Sequence, residues 1–152
     1  MSLVPGVYRL RTAQPSSSGD MYMELKDGAK WSGVQLAKLK PTSAAQKWNL
    51  SKEQDQWILD NESQDNEVLS PLANNSNGQL FGSGLKSKEN SILRWKLFQY
   101  EGGIWRIENV AFHDKVVDLQ EGIAQPGQPI IIYPGRDETV DNQRWHLEKV
   151  ED

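Results

Sequence analysis

Along this chain hydrophobic and polar residues alternate in short bursts. Val7-Tyr8-Arg9-Leu10-Arg11, Trp95-Lys96-Leu97-Phe98 and Trp105-Arg106-Ile107-Glu108 carry a period of two, and Trp57-Ile58-Leu59 is read as a strand with them. That period sends successive side chains to opposite faces, the pattern of half-buried strands. Ile130-Ile131-Ile132-Tyr133 adds a short apolar run. Turn residues interrupt at short intervals: Pro15 to Asp20, Asp27-Gly28, Asn74 to Gly78, Gly102-Gly103, Pro126-Gly127 and Pro134-Gly135. Such clusters close one strand and open the next. No stretch of helical length has an amphipathic helical period. The nearest, 38–47, is broken by Pro41, which cannot donate a helical hydrogen bond. The pattern predicts an all-β chain of many short strands.

The strands come in three copies. The openings Tyr8-Arg9-Leu10, Trp57-Ile58-Leu59 and Trp105-Arg106-Ile107 are 49 and 48 residues apart. The closings Gln46-Lys47-Trp48, Leu93-Arg94-Trp95 and Gln143-Arg144-Trp145 are 47 and 50 apart. Two independent landmarks with one period mark internal repeats, approximately 7–55, 56–103 and 104–150. A bulky Trp once per repeat is the natural common core.

Composition narrows the function classes. At 152 residues, one domain is expected, long enough to bury a core. No apolar run approaches a membrane span, so no membrane insertion is expected. With no cysteine there are no disulfides, thiolate metal sites or cysteine nucleophile. The formal charge of −4 argues against a nucleic-acid partner. MSLVPGVYRLR has no basic stretch followed by an apolar one. The expected location is therefore cytoplasmic, or outside the cell by release without a classical signal peptide. Two isolated His give no metal-ligand spacing, and His113-Asp114 reads as a solvated turn. There is no Gly-x-Ser-x-Gly and no phosphate loop, so neither catalytic residues nor a cofactor are expected.

Three repeats of short strands resemble a β-trefoil. The closings resemble the Gln-x-Trp signature of the ricin-B-type (R-type) lectins, kept in full at Gln46-Lys47-Trp48 and Gln143-Arg144-Trp145 and by the Trp alone at Leu93-Arg94-Trp95. The opening MSLVPGVYRLR is similar to that of small cysteine-free mushroom trefoil proteins, which include lectins, lectin-like subunits and mycocypin protease inhibitors. The resemblance implies pseudo-threefold symmetry, with each Trp packed near the shared axis.

Holding a sugar takes an aromatic face for the ring's C–H side, a carboxylate for hydroxyl protons and an amide that both donates and accepts. The third repeat offers all three: Asp118 in Val117-Asp118-Leu119, Tyr133 at the end of the apolar run, and Asn142 before Gln143-Arg144-Trp145. The resemblance implies that these form a galactose-type site, with Gln143 buttressing Asp118. Gly122 suits the turn that shapes the pocket. Tyr133 departs from the Trp common at that position, leaving a smaller aromatic face. In the first repeat Glu24 stands at the acidic position, one methylene longer and expected to overreach. Ala37 and Ala45 stand where Tyr133 and Asn142 would be, although Trp31 could serve that repeat if its loops shift the alignment. The second repeat has Ser70 and Ile92 at the acidic and amide positions.

The expectation is a lectin without catalysis, binding galactose-type or related glycans, with multivalency supplied by a homodimer or a protein partner. Two other readings stay open. A protease inhibitor of the mycocypin type would use the Pro15–Gly19 and 134–141 loops. An accessory subunit of an enzyme would carry a silent sugar site.

Overall fold

The computed structural model describes residues 3–63, 66–71, 77–85, 90–136 and 140–150. The expected turn residues Asn74 to Ser76, and residues 137–139 of the 134–141 loop, lie outside that set. Twelve strands are described: β1 (Gly6–Thr12), β2 (Met21–Leu25), β3 (Val34–Lys38), β4 (Trp48–Glu53), β5 (Gln56–Asn61), β6 (Val68–Ser70), β7 (Phe81–Ser83), β8 (Trp95–Tyr100), β9 (Ile104–Asn109), β10 (Lys115–Leu119), β11 (Ile130–Pro134) and β12 (Trp145–Lys149). Among the described residues the helical segments are single 3-10 turns, including one at Ala44–Gln46 inside the segment nearest to a helical pattern. No described helix is long and apolar enough to cross a membrane.

Six strands close a ring of antiparallel pairs, in the order β1, β4, β5, β8, β9, β12 and back to β1. Closure leaves this barrel without an exposed edge. The other six form three hairpins, β2–β3, β6–β7 and β10–β11, which meet over one end through the bridges Gly33–Phe81, Gln35–Pro129 and Gln79–Ile131. This is a β-trefoil.

The sequence landmarks face each other across the ring. Tyr8 pairs with Trp48, Trp57 with Trp95, and Trp105 with Trp145. The three closing Trp are fully buried, as are Leu10, Leu59 and Ile107, each two residues after an opening aromatic. Each closing indole N–H donates at 3.2 Å to a hairpin carbonyl: Trp48 to Met23, Trp95 to Leu69, Trp145 to Val117. A buried indole needs such an acceptor. The bond also fixes the hairpin over the barrel. The residues after those carbonyls, Glu24, Ser70 and Asp118, are therefore equivalent positions.

Candidate functional site

The third-repeat site is assembled from hairpin β10–β11 and the turn before β12. The 3-10 turn Asp141–Gln143 lies over β10. From it Asn142 Nδ2 donates to Asp118 Oδ1 at 3.1 Å, and Gln143 Nε2 donates to Asp118 Oδ2 at 2.9 Å. The fully buried Gln143 also donates to Pro134 O at 3.0 Å and accepts from Arg136 N–H at 3.1 Å. One amide thus locks the carboxylate, the end of β11 and the start of the following loop together. Tyr133, next to Pro134 on β11, is half-buried. Asp118, Tyr133 and Asn142 line one cleft of about 310 Å³, with Asn77, Gln120, Glu121, Ile131 and Arg136.

Gly122 does not line this cleft. It ends the 3-10 turn Gln120–Gly122 at φ +67°, and a Cβ there would stand 3.7 Å from Asn142 Cβ and 3.3 Å from Gln14 Oε1. Its place is a left-handed turn that side chains rarely adopt, packed behind Asn142. Gln143 likewise stands behind the cleft as a buttress.

The chemistry of the cleft follows from what its hydrogen bonds leave over. An ionised carboxylate can accept about four hydrogen bonds. Among the described residues Asp118 accepts two from protein side chains, which leaves acceptor capacity for hydroxyl groups. Asn142 likewise keeps, among the described residues, its carbonyl oxygen and a second N–H for a ligand. Burial pushes the Asp118 carboxyl up from its ordinary value, and the bonds from Gln143 and Asn142 and the positive charge of Arg136 only partly oppose that. The site therefore holds a carboxylate under electrostatic load.

The equivalent carboxylate in the first repeat is filled in. Glu24 is buried, as Asp118 is, and rather than overreaching it is tied down on every side by hydrogen bonds. Gln35 donates to Oε1 at 3.1 Å; Gln46 and Lys40 donate to Oε2 at 3.1 and 3.0 Å. Burial alone would raise its pKa, but those three bonds and the Lys40 charge outweigh burial and hold it below the ordinary value. Ala37 pairs with Tyr22 as Tyr133 pairs with Val116, and Ala45 precedes Gln46 as Asn142 precedes Gln143. The cleft beside Glu24 thus has neither an aromatic nor an amide at those positions. Trp31 does not serve it. Its exposed ring stacks on Phe81 of the second repeat, centroids 5.5 Å apart, in a separate cleft with Gly33, Gln79 and Leu80. In the second repeat Ser70 is buried and donates to Pro71 O.

Five cleft residues, Asn77, Gln120, Glu121, Ile131 and Arg136, are not among the site residues the sequence suggests. Arg136 stands seven residues before Gln143 where Lys40 stands six before Gln46, so a count back along the sequence misses it by one. Asn77 comes from the second repeat and carries no signal in the third-repeat sequence. His113 and Asp114 are exposed in a turn, and His146 is half-buried on β12. Among the described residues no cluster of His and acidic side chains could hold a metal ion.

A family model described as ricin-type β-trefoil lectin domain-like matches residues 44–133, more than half of the chain. A search of curated proteins gave no match. The fold is similar to that of the Rhizoctonia solani agglutinin, at 22% identity and TM-score 0.82 over 99% of each chain. It is similar to the Macrolepiota procera ricin B-like lectin, solved in complex with lactose, at 16% identity and TM-score 0.75 over 99% of this chain and 100% of that one. It also matches part of a mosquitocidal holotoxin at 19% identity and TM-score 0.83, over 99% of this chain but only 18% of the toxin chain. At these identities the likeness is one of fold. The family-model match goes further: the chain belongs to the ricin-type β-trefoil lectin domain-like family.

Proposed function

We propose that this protein is a lectin whose third-repeat cleft reversibly binds a galactose-type sugar, with no bond made or broken. The observation that carries this reading is the meeting of Asp118, Asn142 and Tyr133 in one cleft, with acceptor capacity left on the carboxylate. The sugar's hydroxyls would donate to Asp118 and exchange hydrogen bonds with Asn142, while its C–H face packs on Tyr133. The lactose complex of the Macrolepiota lectin, a protein of the same fold, supports the choice of sugar. One shallow site gives roughly 4–5 kcal/mol, a millimolar to high-micromolar affinity. Cell-surface binding would then rest on multivalency, which a homodimer would provide; sedimentation tests that point. A glycan array, run beside galactose and lactose competition, tests the function. Terminal-galactose glycans should be retained and released by lactose. Retention of no glycan would remove the reading.

A second reading takes the domain as a targeting module of a larger assembly, because a domain of this fold makes up a small part of the holotoxin chain. Co-purification of a larger partner from the native source is its test. The Pro15–Gly19 loop, suited on sequence to protease docking, is tied to the third repeat by Ser16 Oγ donating to Ala124 O at 3.2 Å. Inhibition assays against papain-like and trypsin-like enzymes test that role.

A further inference from the structure

Arg136 has a counterpart in the first repeat. Its backbone N–H donates to Gln143 Oε1 at 3.1 Å, and that of Lys40 donates to Gln46 Oε1 at 2.9 Å. Two residues earlier in each case, the same glutamine amide donates to a backbone carbonyl, of Pro134 and of Lys38. The fold thus delivers a cationic residue to the same place relative to the buried carboxylate in both repeats. The two cations end differently. Lys40 Nζ reaches Glu24 Oε2 at 3.0 Å and neutralises it. Arg136 lines the cleft with Asp118, and among the described residues its guanidinium makes no ion pair.

The cleft is also polarised along the β10–β11 hairpin. Lys115, at the start of β10, pairs with Pro134, and Arg136 follows two residues later. The Lys115 ammonium holds the side chain of Asn77, which lines the same cleft. Glu121 lies at the opposite end, in the turn after β10. Exposed Asp114 neighbours Lys115, and exposed Asp141 precedes Asn142.

We propose that Arg136 is the specificity-determining residue of this cleft and that the preferred ligand is an anionic galactoside, bearing a sulfate or carboxylate group on or next to the sugar held at Asp118. The proposal rests on the sugar-site reading. A planar guanidinium bonds two oxygens of such a group at once and stays charged at all working pH values. In the first repeat the same position neutralises an internal carboxylate; in the third it faces the ligand.

The test is calorimetric titration of the whole chain with three sugars: lactose, lactose sulfated on galactose O3, and lactose sialylated on galactose O3. At least one anionic sugar should bind about three- to fivefold more tightly than lactose, the scale of an exposed ion pair. That ratio should shrink at about 0.5 M salt, vanish in Arg136→Gln and survive in part in Arg136→Lys. Preference for the sulfate alone or the carboxylate alone supports the proposal and names the group. The proposal is overturned if the wild type binds lactose at least as tightly as both anionic sugars, or if Arg136→Gln keeps the preference. If the wild type binds none of the three, the sugar-site reading falls and takes the proposal with it. A lactose affinity without an anionic preference refutes only the role of Arg136.

Discussion

Two buried carboxylates at equivalent positions differ in what their hydrogen-bond partners leave over. Glu24 is satisfied by Gln35, Gln46 and Lys40, and it titrates below the ordinary value. Asp118 has Gln143 and Asn142 as its hydrogen-bond partners, keeps spare acceptor capacity and titrates above the ordinary value. The sugar reading needs Asp118 ionised, because a protonated carboxyl loses acceptor capacity. Binding should therefore fail on acidification with a midpoint above about 4, the ordinary aspartate value; lactose affinity measured against pH checks this. The stability signs are opposite for the two residues. Glu24, with its lowered pKa, adds stability above the ordinary glutamate range and loses it as pH falls through its folded value. Asp118, with its raised pKa, subtracts stability as pH rises from the ordinary aspartate value to its folded value, with no further change beyond. Glu24→Gln should thus flatten the acid side of a stability–pH curve from urea unfolding. Asn142→Ala should weaken lactose binding about tenfold or more, the scale of hydrogen bonds at a charged group, and lower the unfolding midpoint less than Gln143→Ala does, because Asp118 keeps its bond from Gln143.

At the scale of elements, the 3-10 turn ahead of each closing Trp decides what a repeat can do. In the third repeat the Asp141–Gln143 turn carries an amide that faces the cleft and an amide that holds the hairpin. In the first repeat the Ala44–Gln46 turn keeps only the second. This gives a paired experiment. Gln143→Ala strands the buried Asp118 Oδ2, a carbonyl and a backbone N–H, while Gln46→Ala strands a carbonyl and a backbone N–H and leaves Glu24 Oε2 its bond from Lys40; each should cost about 2–4 kcal/mol by urea unfolding, the first more than the second. Only Gln143→Ala should also weaken lactose binding. Equal loss of binding in both variants would show that the turns act through global stability instead. The turn was legible as Asn142-Gln143-x-Trp145 because spacing along one chain segment survives into the fold. The cleft's other wall was less so. Asn77 arrives from the second repeat through the meeting of hairpins, and no local pattern encodes that meeting. Glu24 reads as overreaching from its length alone; the approach of Lys40 that satisfies it depends on a backbone bond to Gln46, which no local pattern encodes.

At the scale of the molecule, the fold was legible because one bulky residue per repeat leaves a count in the sequence. Each closing Trp sits opposite an opening aromatic and bonds a hairpin carbonyl, so the period of the sequence is the period of the barrel. Replacing Trp48, Trp95 or Trp145 singly by Phe removes the indole bond and leaves a void. Each change should cost about 2–4 kcal/mol by denaturant unfolding, and the three losses should be alike, as three equivalent positions require. The proposed binding chemistry does not share this symmetry: it has one sugar site on a threefold scaffold. Its most direct test is a lactose titration of isotope-labelled protein followed by two-dimensional amide NMR. The expected result is one-site saturation, with shifts confined to Asp118, Tyr133, Arg136, Asn142 and their neighbours, and with the Asn142 side-chain amide among the largest. Shifts centred on Glu24 and Gln46, or on Trp31 and Phe81, would contradict the account, as would no shift at saturating lactose.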